Sequence, residues 1–158
     1  MKFAHLVEIN DPLNPLIDTL TREQVWRGLV KRAEDPMAFV PWLDACTISE
    51  RTPAAIRREL RYGEVVIQDR VTFLPLLQIR YLIPEQKDIP ASSLSMTIEE
   101  PGPGQLFVRF EYESAGAESE EDEFYNEFRR SAYQESDIDT VRIIRQLASQ
   151  GLLDAPAA

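Results

Sequence analysis

The chain has 158 residues, 44% hydrophobic and 28% charged, which excludes a disordered polymer and suits one domain burying roughly 68–70% of its unfolded surface. A net charge of −10 opposes phosphate backbones and anionic lipid, which bind through clustered Lys and Arg, so no nucleic acid and no membrane surface is expected as a partner. With one cysteine, Cys46, and one histidine, His5, neither an internal disulfide nor a Cys/His zinc site can be built, and no metal or cofactor is expected.

The first segment, KFAHLVEIN, alternates Phe3, His5, Val7 and Ile9 with polar or small residues, the period of two that marks a strand with one buried face. Two prolines in DPLNP end it. Thr21 followed by Gln24 is a capping box, in which each side chain satisfies the other residue's free amide. Trp26, Leu29, Val30 and Ala33 then recur at helical spacing until Pro36 approaches, so a short helix is predicted to end near Glu34. Its face should brace the sheet's rim, with Met37, Phe39, Val40 and Trp42 laid across an entrance to the interior.

Alternation returns at Cys46 and predicts six more strands, near 46–51, 55–62, 64–74, 76–83, 93–100 and 105–114. Short turns between them call for antiparallel hairpins. Cys46 at the start of one of these strands reads as a small buried residue rather than a nucleophile. After Tyr112 a long helix is predicted to run to about Gln150, with the acidic residues at 118–123 favoured in its first turn by the helix dipole. Gly151 should end it, leaving 151–158 as a frayed tail behind a folded unit of residues 1–150. The fold class is α+β: a curved seven-stranded antiparallel sheet around a long C-terminal helix, with a short helix after the first strand. No apolar run approaches the roughly 20 residues of a membrane span, and the start lacks a signal-peptide core, which together predict a cytoplasmic location.

Projecting the last helix at about 100° per residue puts Tyr125, Phe128, Ala132, Ser136, Thr140, Ile143 and Leu147 on one side. The small or hydroxyl-bearing Ala132, Ser136 and Thr140 at its middle would leave space over the sheet. Nearly every strand also turns one polar group inward: His5 beside Phe3 and Val7, Arg58 between Ile56 and Leu60, Asp69 between Ile67 and Val71, Tyr81 near Ile79, and Tyr112 after Phe110. Buried charge needs a partner. If the hairpin turns on Tyr62 and Gly63, Arg58 faces Ile67 and lies diagonal to Asp69, within reach of an ion pair. That pair reads either as a polar anchor in an apolar cavity or as a structural salt bridge. His5 and Asp69 are the candidate acid or base groups. Tyr81, Tyr112 and Tyr133 can bury their rings and still offer a hydroxyl, and Phe128 and Trp42 complete the candidate ligand contacts.

The order of elements, with TREQVWRGLV followed by FVPWLDACTI, resembles the helix-grip fold of the START and birch-pollen-allergen superfamily, also called SRPBCC. More narrowly, HLVEINDPLNPLIDTLTREQVWRGLVKRAEDP, SLSMTIEEP, LFVRFEY and SAYQESDIDTVRIIRQLA resemble the AtaL-like family over nearly the whole chain. The resemblance implies a hydrophobic cavity between sheet and helix, of the kind used for lipids, polyketides, plant hormones or aromatic intermediates. Three functions follow as expectations: binding of a small hydrophobic or aromatic molecule; an enzyme of polyketide cyclase, aromatase or dehydratase type; or an interaction module, with a homodimer formed through MAFVPW. Fold likeness alone does not choose among them.

Overall fold

The computed structural model describes residues 1–115 and 120–155, with side chains from 125 onward in the second segment. Strand β1 (Lys2–Asn10) is followed by helix α1 (Arg22–Glu34) and a short 3-10 turn (Pro36–Ala38). Then come β2 (Ala45–Arg51), β3 (Ala55–Tyr62), β4 (Val65–Leu74), β5 (Gln78–Ile83), β6 (Ser92–Glu99) and β7 (Leu106–Ser114). Helix α2 (Glu120–Ser149) closes the chain. The seven strands form one antiparallel sheet in the order β1-β7-β6-β5-β4-β3-β2. Five hairpins therefore make a meander from β2 to β7, and β1 is added at the far edge beside β7. Among the described residues no helix is long and apolar enough to cross a membrane.

Helix α1 starts where its capping box requires. The Thr21 hydroxyl accepts from the Gln24 amide at 3.0 Å, and Gln24 Oε1 accepts from the Thr21 amide at 2.9 Å. Buried Asn10 fastens the preceding loop: its side chain donates to the Leu20 carbonyl at 2.7 Å and accepts from the Leu20 amide at 2.9 Å. Val25, Leu29 and Ala33 are fully buried, while Trp26 packs edge-on against Phe73 with ring centroids 6.5 Å apart. Helix and sheet rim are thus braced as the periodicity predicts.

Helix α2 sits one residue, about 100°, out of the predicted phase. Its buried positions are Asn126, Asp137, Thr140, Val141 and Ile144, while Tyr125 and Phe128 are 62% and 72% exposed. Ala132 is exposed and Ser136 half-buried. Only Thr140 of the three small central residues faces inward, and its hydroxyl donates to the Ser136 carbonyl at 3.0 Å. The prediction fails because this helix buries polar groups along its inner side, so its bulky residues do not mark the buried face. The acidic run at 118–123 lies outside the residues with described side chains.

Gly151 ends the helix at φ +74, and the Leu152 amide returns to the Leu147 carbonyl at 3.0 Å. The expected fraying does not begin there. Leu153 is buried, and its carbonyl accepts from Arg27 at 2.9 Å, because one apolar side chain and one capped carbonyl suffice to hold so short a segment. Trp42, expected over an entrance, is 69% exposed and Met37 is 49% exposed, whereas Pro36 and Phe39 are buried.

The two helices meet at Gly28, where an added Cβ would lie 2.7 Å from both Cγ1 and Cγ2 of Ile144. Neither helix can yield cheaply, because a β-branched side chain is stiff at χ1. Gly28→Ala is therefore expected to destabilise the protein by about 1–3 kcal/mol through overpacking, although alanine is intrinsically the better helix former by about 1 kcal/mol. Urea unfolding checks the sign, and Ile144→Ala in the same chain should recover part of the loss.

Candidate functional site

At the end of the sheet where β3, β5 and β7 finish and β6 begins, a cavity of about 280 Å³ lies between the strands, the end of α1 and Tyr133 of α2. Val40, Leu60, Ile83 and Leu94 give it apolar walls. Arg32, Arg58, Asp69, Tyr81 and Tyr112 bring polar groups to it, and Met1, Tyr62 and Ser114 stand around it at the sheet's end. Further along α2, Val141 and Ile144 belong to the same packed cluster as Ile9, Leu29 and Phe110.

Arg58 and Asp69 are directly opposite each other on β3 and β4. The turn falls on Gly63 and Glu64, one residue later than predicted, since Tyr62 pairs with Val65 and Gly63 takes a φ of +61. The pair is bidentate, Nε to Oδ1 at 2.9 Å and an Nη to Oδ2 at 2.5 Å, and a third bond runs to the Ala33 carbonyl at 2.9 Å. Both residues are 5% exposed. Burial works against the Arg58 charge, but the hydrogen bonds and charge of Asp69 outweigh it and raise its pKa.

Tyr81 is buried beside both arginines, whose guanidinium carbons lie 5.1 Å (Arg58) and 5.4 Å (Arg32) from its ring centroid. The Arg32 guanidinium is near enough to act on the Tyr81 hydroxyl electrostatically, and among the described residues that buried hydroxyl has no hydrogen-bond partner. Arg32 itself donates from Nε to the Thr140 hydroxyl at 3.3 Å. Burial opposes its charge, but nearby Tyr81, Tyr112 and Asp137 outweigh that and raise its pKa.

Behind Tyr112 lies a second polar group. Asp137 is 0% exposed; its Oδ1 accepts from the Tyr112 hydroxyl at 2.6 Å, and its Oδ2 lies 2.6 Å from His5 Nε2. Burial raises the Asp137 pKa, and the hydrogen bonds from Tyr112 and His5 only partly offset it. Burial, reinforced by the Asp137 charge, pushes the Tyr112 hydroxyl well up. The Tyr112 ring stacks on Tyr133 with centroids 4.0 Å apart, and His5 stacks between Phe3 and Phe110. Burial likewise pushes the Cys46 thiol up, which disfavours the thiolate a nucleophile needs.

The chain has counterparts among known proteins. The family model described as acetylaranotin biosynthesis cluster protein L, AtaL, matches residues 7–151. The chain belongs to the AtaL family.

No curated protein matches this AtaL-family chain in sequence. Among solved structures, Zhui aromatase/cyclase from Streptomyces sp. R1128 is 14% identical with a TM-score of 0.64, covering 100% of this chain and 99% of its own. Human STARD10 is 12% identical with a TM-score of 0.65, covering 94% of this chain and 65% of its own. Ara h 8.0201 is 12% identical with a TM-score of 0.57, over 92% of this chain and 98% of its own. At these identities the likeness is one of fold, the helix-grip fold.

In this AtaL-family chain, the structure brings Arg58, Asp69, Tyr81 and Tyr112 together at the cavity. His5 is one step removed, reaching Tyr112 through Asp137. Phe128, Ala132, Ser136, Thr140 and Trp42 are not on its wall. Phe128, Ala132 and Ser136 leave because of the helix phase, and Trp42 because Pro36 and Val40 cover that end of the cavity instead. Sequence reasoning passed over Arg32 and Asp137. Each sits at helical spacing from a residue that was singled out, Arg32 three after Leu29 and Asp137 four after Tyr133, and that spacing was the available signal.

Two outcomes follow. Asp69→Ala leaves Arg58 buried without its counter-ion and should cost about 3–5 kcal/mol in urea unfolding, whereas replacing both residues by apolar ones of similar volume should cost far less. Asp137 has a folded pKa above its unfolded one, so its contribution to stability is present below the ordinary carboxylate value and declines as pH rises through the raised one. Relative to wild type, Asp137→Asn should therefore gain stability as pH increases above about 4, as read from unfolding curves taken at successive pH values.

Proposed function

We propose that the protein encloses a small hydrophobic or aromatic molecule in the cavity between Tyr81 and Tyr133. The observation that carries this reading is a space of about 280 Å³ with apolar walls, lined in part by Tyr81, whose buried hydroxyl has no partner among the described residues. Few convergent polar groups on an otherwise apolar wall are the usual makeup of a ligand site, and the volume falls just below the usual range of about 300–1,000 Å³. A compound of one or two rings, or a short acyl chain, matches it. The fold it shares with a structure named as an aromatase/cyclase and with STARD10 supports the reading without deciding the compound.

A second reading, an enzyme of cyclase, aromatase or dehydratase type, has one observation in its favour. Tyr112 stands on the cavity wall with its hydroxyl bonded to Asp137, which in turn meets His5. That chain of hydrogen bonds could pass a proton between the cavity and His5. Asp69 is the poorer acid or base, because both its oxygens are engaged by Arg58. The readings separate on whether the bound compound is recovered unchanged.

Thermal unfolding against a panel of aromatic and acyl compounds tests the proposal. A ligand at about 100 times its dissociation constant stabilises the native state by about 2.7 kcal/mol. Wild type should show such a rise with some members of the panel, and Leu94→Trp, which fills the cavity, should lose it while remaining folded. A panel that shifts nothing in wild type would contradict the proposal.

A further inference from the structure

Of the two arginines at the cavity, only one has a carboxylate in direct contact. Arg58 is neutralised by Asp69, with which it forms a bidentate pair. Asp137 is engaged by His5 and Tyr112, behind the wall. Arg32 lines the cavity, and its one donated hydrogen bond is Nε to the Thr140 hydroxyl, a neutral acceptor. The carboxylate of Asp137 acts on Arg32 only at longer range. The Tyr81 hydroxyl beside it has no partner among the described residues, though Tyr81 is only 5% exposed.

An unmet buried donor costs on the order of 1–3 kcal/mol, and more where charge is involved. Here the Tyr81 hydroxyl is such a donor, and beside it lies an arginine that lines the cavity. In a chain of net charge −10, an arginine there with no carboxylate in contact is a local exception to the overall sign. The ligand that would complete both groups carries an anionic oxygen, which can accept from a guanidinium and a phenol together in short, charge-assisted bonds.

Resting on the reading that the cavity binds a ligand, we propose that this ligand is an acid: a one- or two-ring or short acyl molecule whose carboxylate, or equivalent enolate or phenolate oxygen, is held by Arg32 and the Tyr81 hydroxyl. Its apolar body lies along Leu60, Ile83, Leu94 and the Tyr133 ring. Arg58 acts as a positioning residue, held by Asp69 and packed on the Tyr81 ring, and takes no part in neutralising the anion.

Isothermal titration compares 2-naphthoate with 2-naphthalenemethanol, and octanoate with 1-octanol, two pairs that differ chiefly in the charge of one group. At least one acid should bind at least tenfold more tightly than its alcohol. Arg32→Gln should remove that preference while leaving the alcohol's affinity within about twofold, and Arg32→Lys should keep part of it. Tyr81→Phe, which also covers the case of Arg32→Gln failing to fold, should weaken the acid alone and leave the unliganded protein no less stable. Equal affinity of acid and alcohol in wild type, or a preference that survives Arg32→Gln, overturns the assignment while the cavity reading stands. If none of the four compounds binds, both fall.

Discussion

The terminal helix is held to the sheet at its middle by a carboxylate. Asp137 projects from α2, is wholly shielded from water, and meets His5 of β1 and Tyr112 of β7 at 2.6 Å each. These two strands are adjacent in the sheet, so one side chain fixes both the height of α2 along the strands and its rotation about its own axis. The tyrosine and histidine hold Asp137 at set distances, and apolar packing takes over only beyond it, at Val141 and Ile144. A helix positioned by hydrogen bonds at Asp137 need not pack its whole length against the sheet. The cavity lies on the other side of Asp137, where Tyr133, one turn before it, lines the wall.

The polar groups around the cavity divide according to whether their needs are met within the chain. Arg58, with all its hydrogen bonds directed at Asp69 and the Ala33 carbonyl, ties β3, β4 and α1 together and is structural. Asp137 is likewise engaged on both oxygens. Burying such groups is favourable only when partners are complete, and here they are. The Tyr81 hydroxyl is the exception, and its neighbour is Arg32, whose one donated bond goes to a neutral hydroxyl. In a tightly packed interior an unmet donor is rare enough to require a reason, and an absent binding partner of suitable chemistry is one.

Most of this architecture is legible in the sequence because the elements obey simple periods. Each strand buries one face, so alternation locates it to within a residue or two, and the Thr21–Gln24 box marks the start of α1. Fine register is less accessible. The β3–β4 turn lies on Gly63 and Glu64 rather than Tyr62 and Gly63, which moves the partner of Arg58 from Ile67 to Asp69; the ion pair survived because the two registers keep the same face. Helix α2 defeats hydrophobic periodicity up to Thr140, although Val141, Ile143, Ile144 and Leu147 after it do pack on the core. Tyr125, Phe128 and Ile138 are exposed, while Asn126, Asp137 and Thr140 are buried, the reverse of an amphipathic helix over an apolar sheet. Arg32 was passed over for a related reason, since its charge masks the helical spacing from Leu29 that turns it inward. The groups that make the site are the ones that break the pattern used to find the fold.

The central claim is that α2, pinned at Asp137, leaves a space beside Tyr133 that a small apolar molecule enters. Methyl-resolved magnetic resonance during titration with 2-naphthol tests it most directly. The account predicts saturable shifts at the methyl groups of Val40, Leu60, Ile83 and Leu94, with those of Val25, Leu29 and Ile144 unmoved. Shifts confined to the exposed Leu13 and Leu16, or spread evenly through the core, would contradict it.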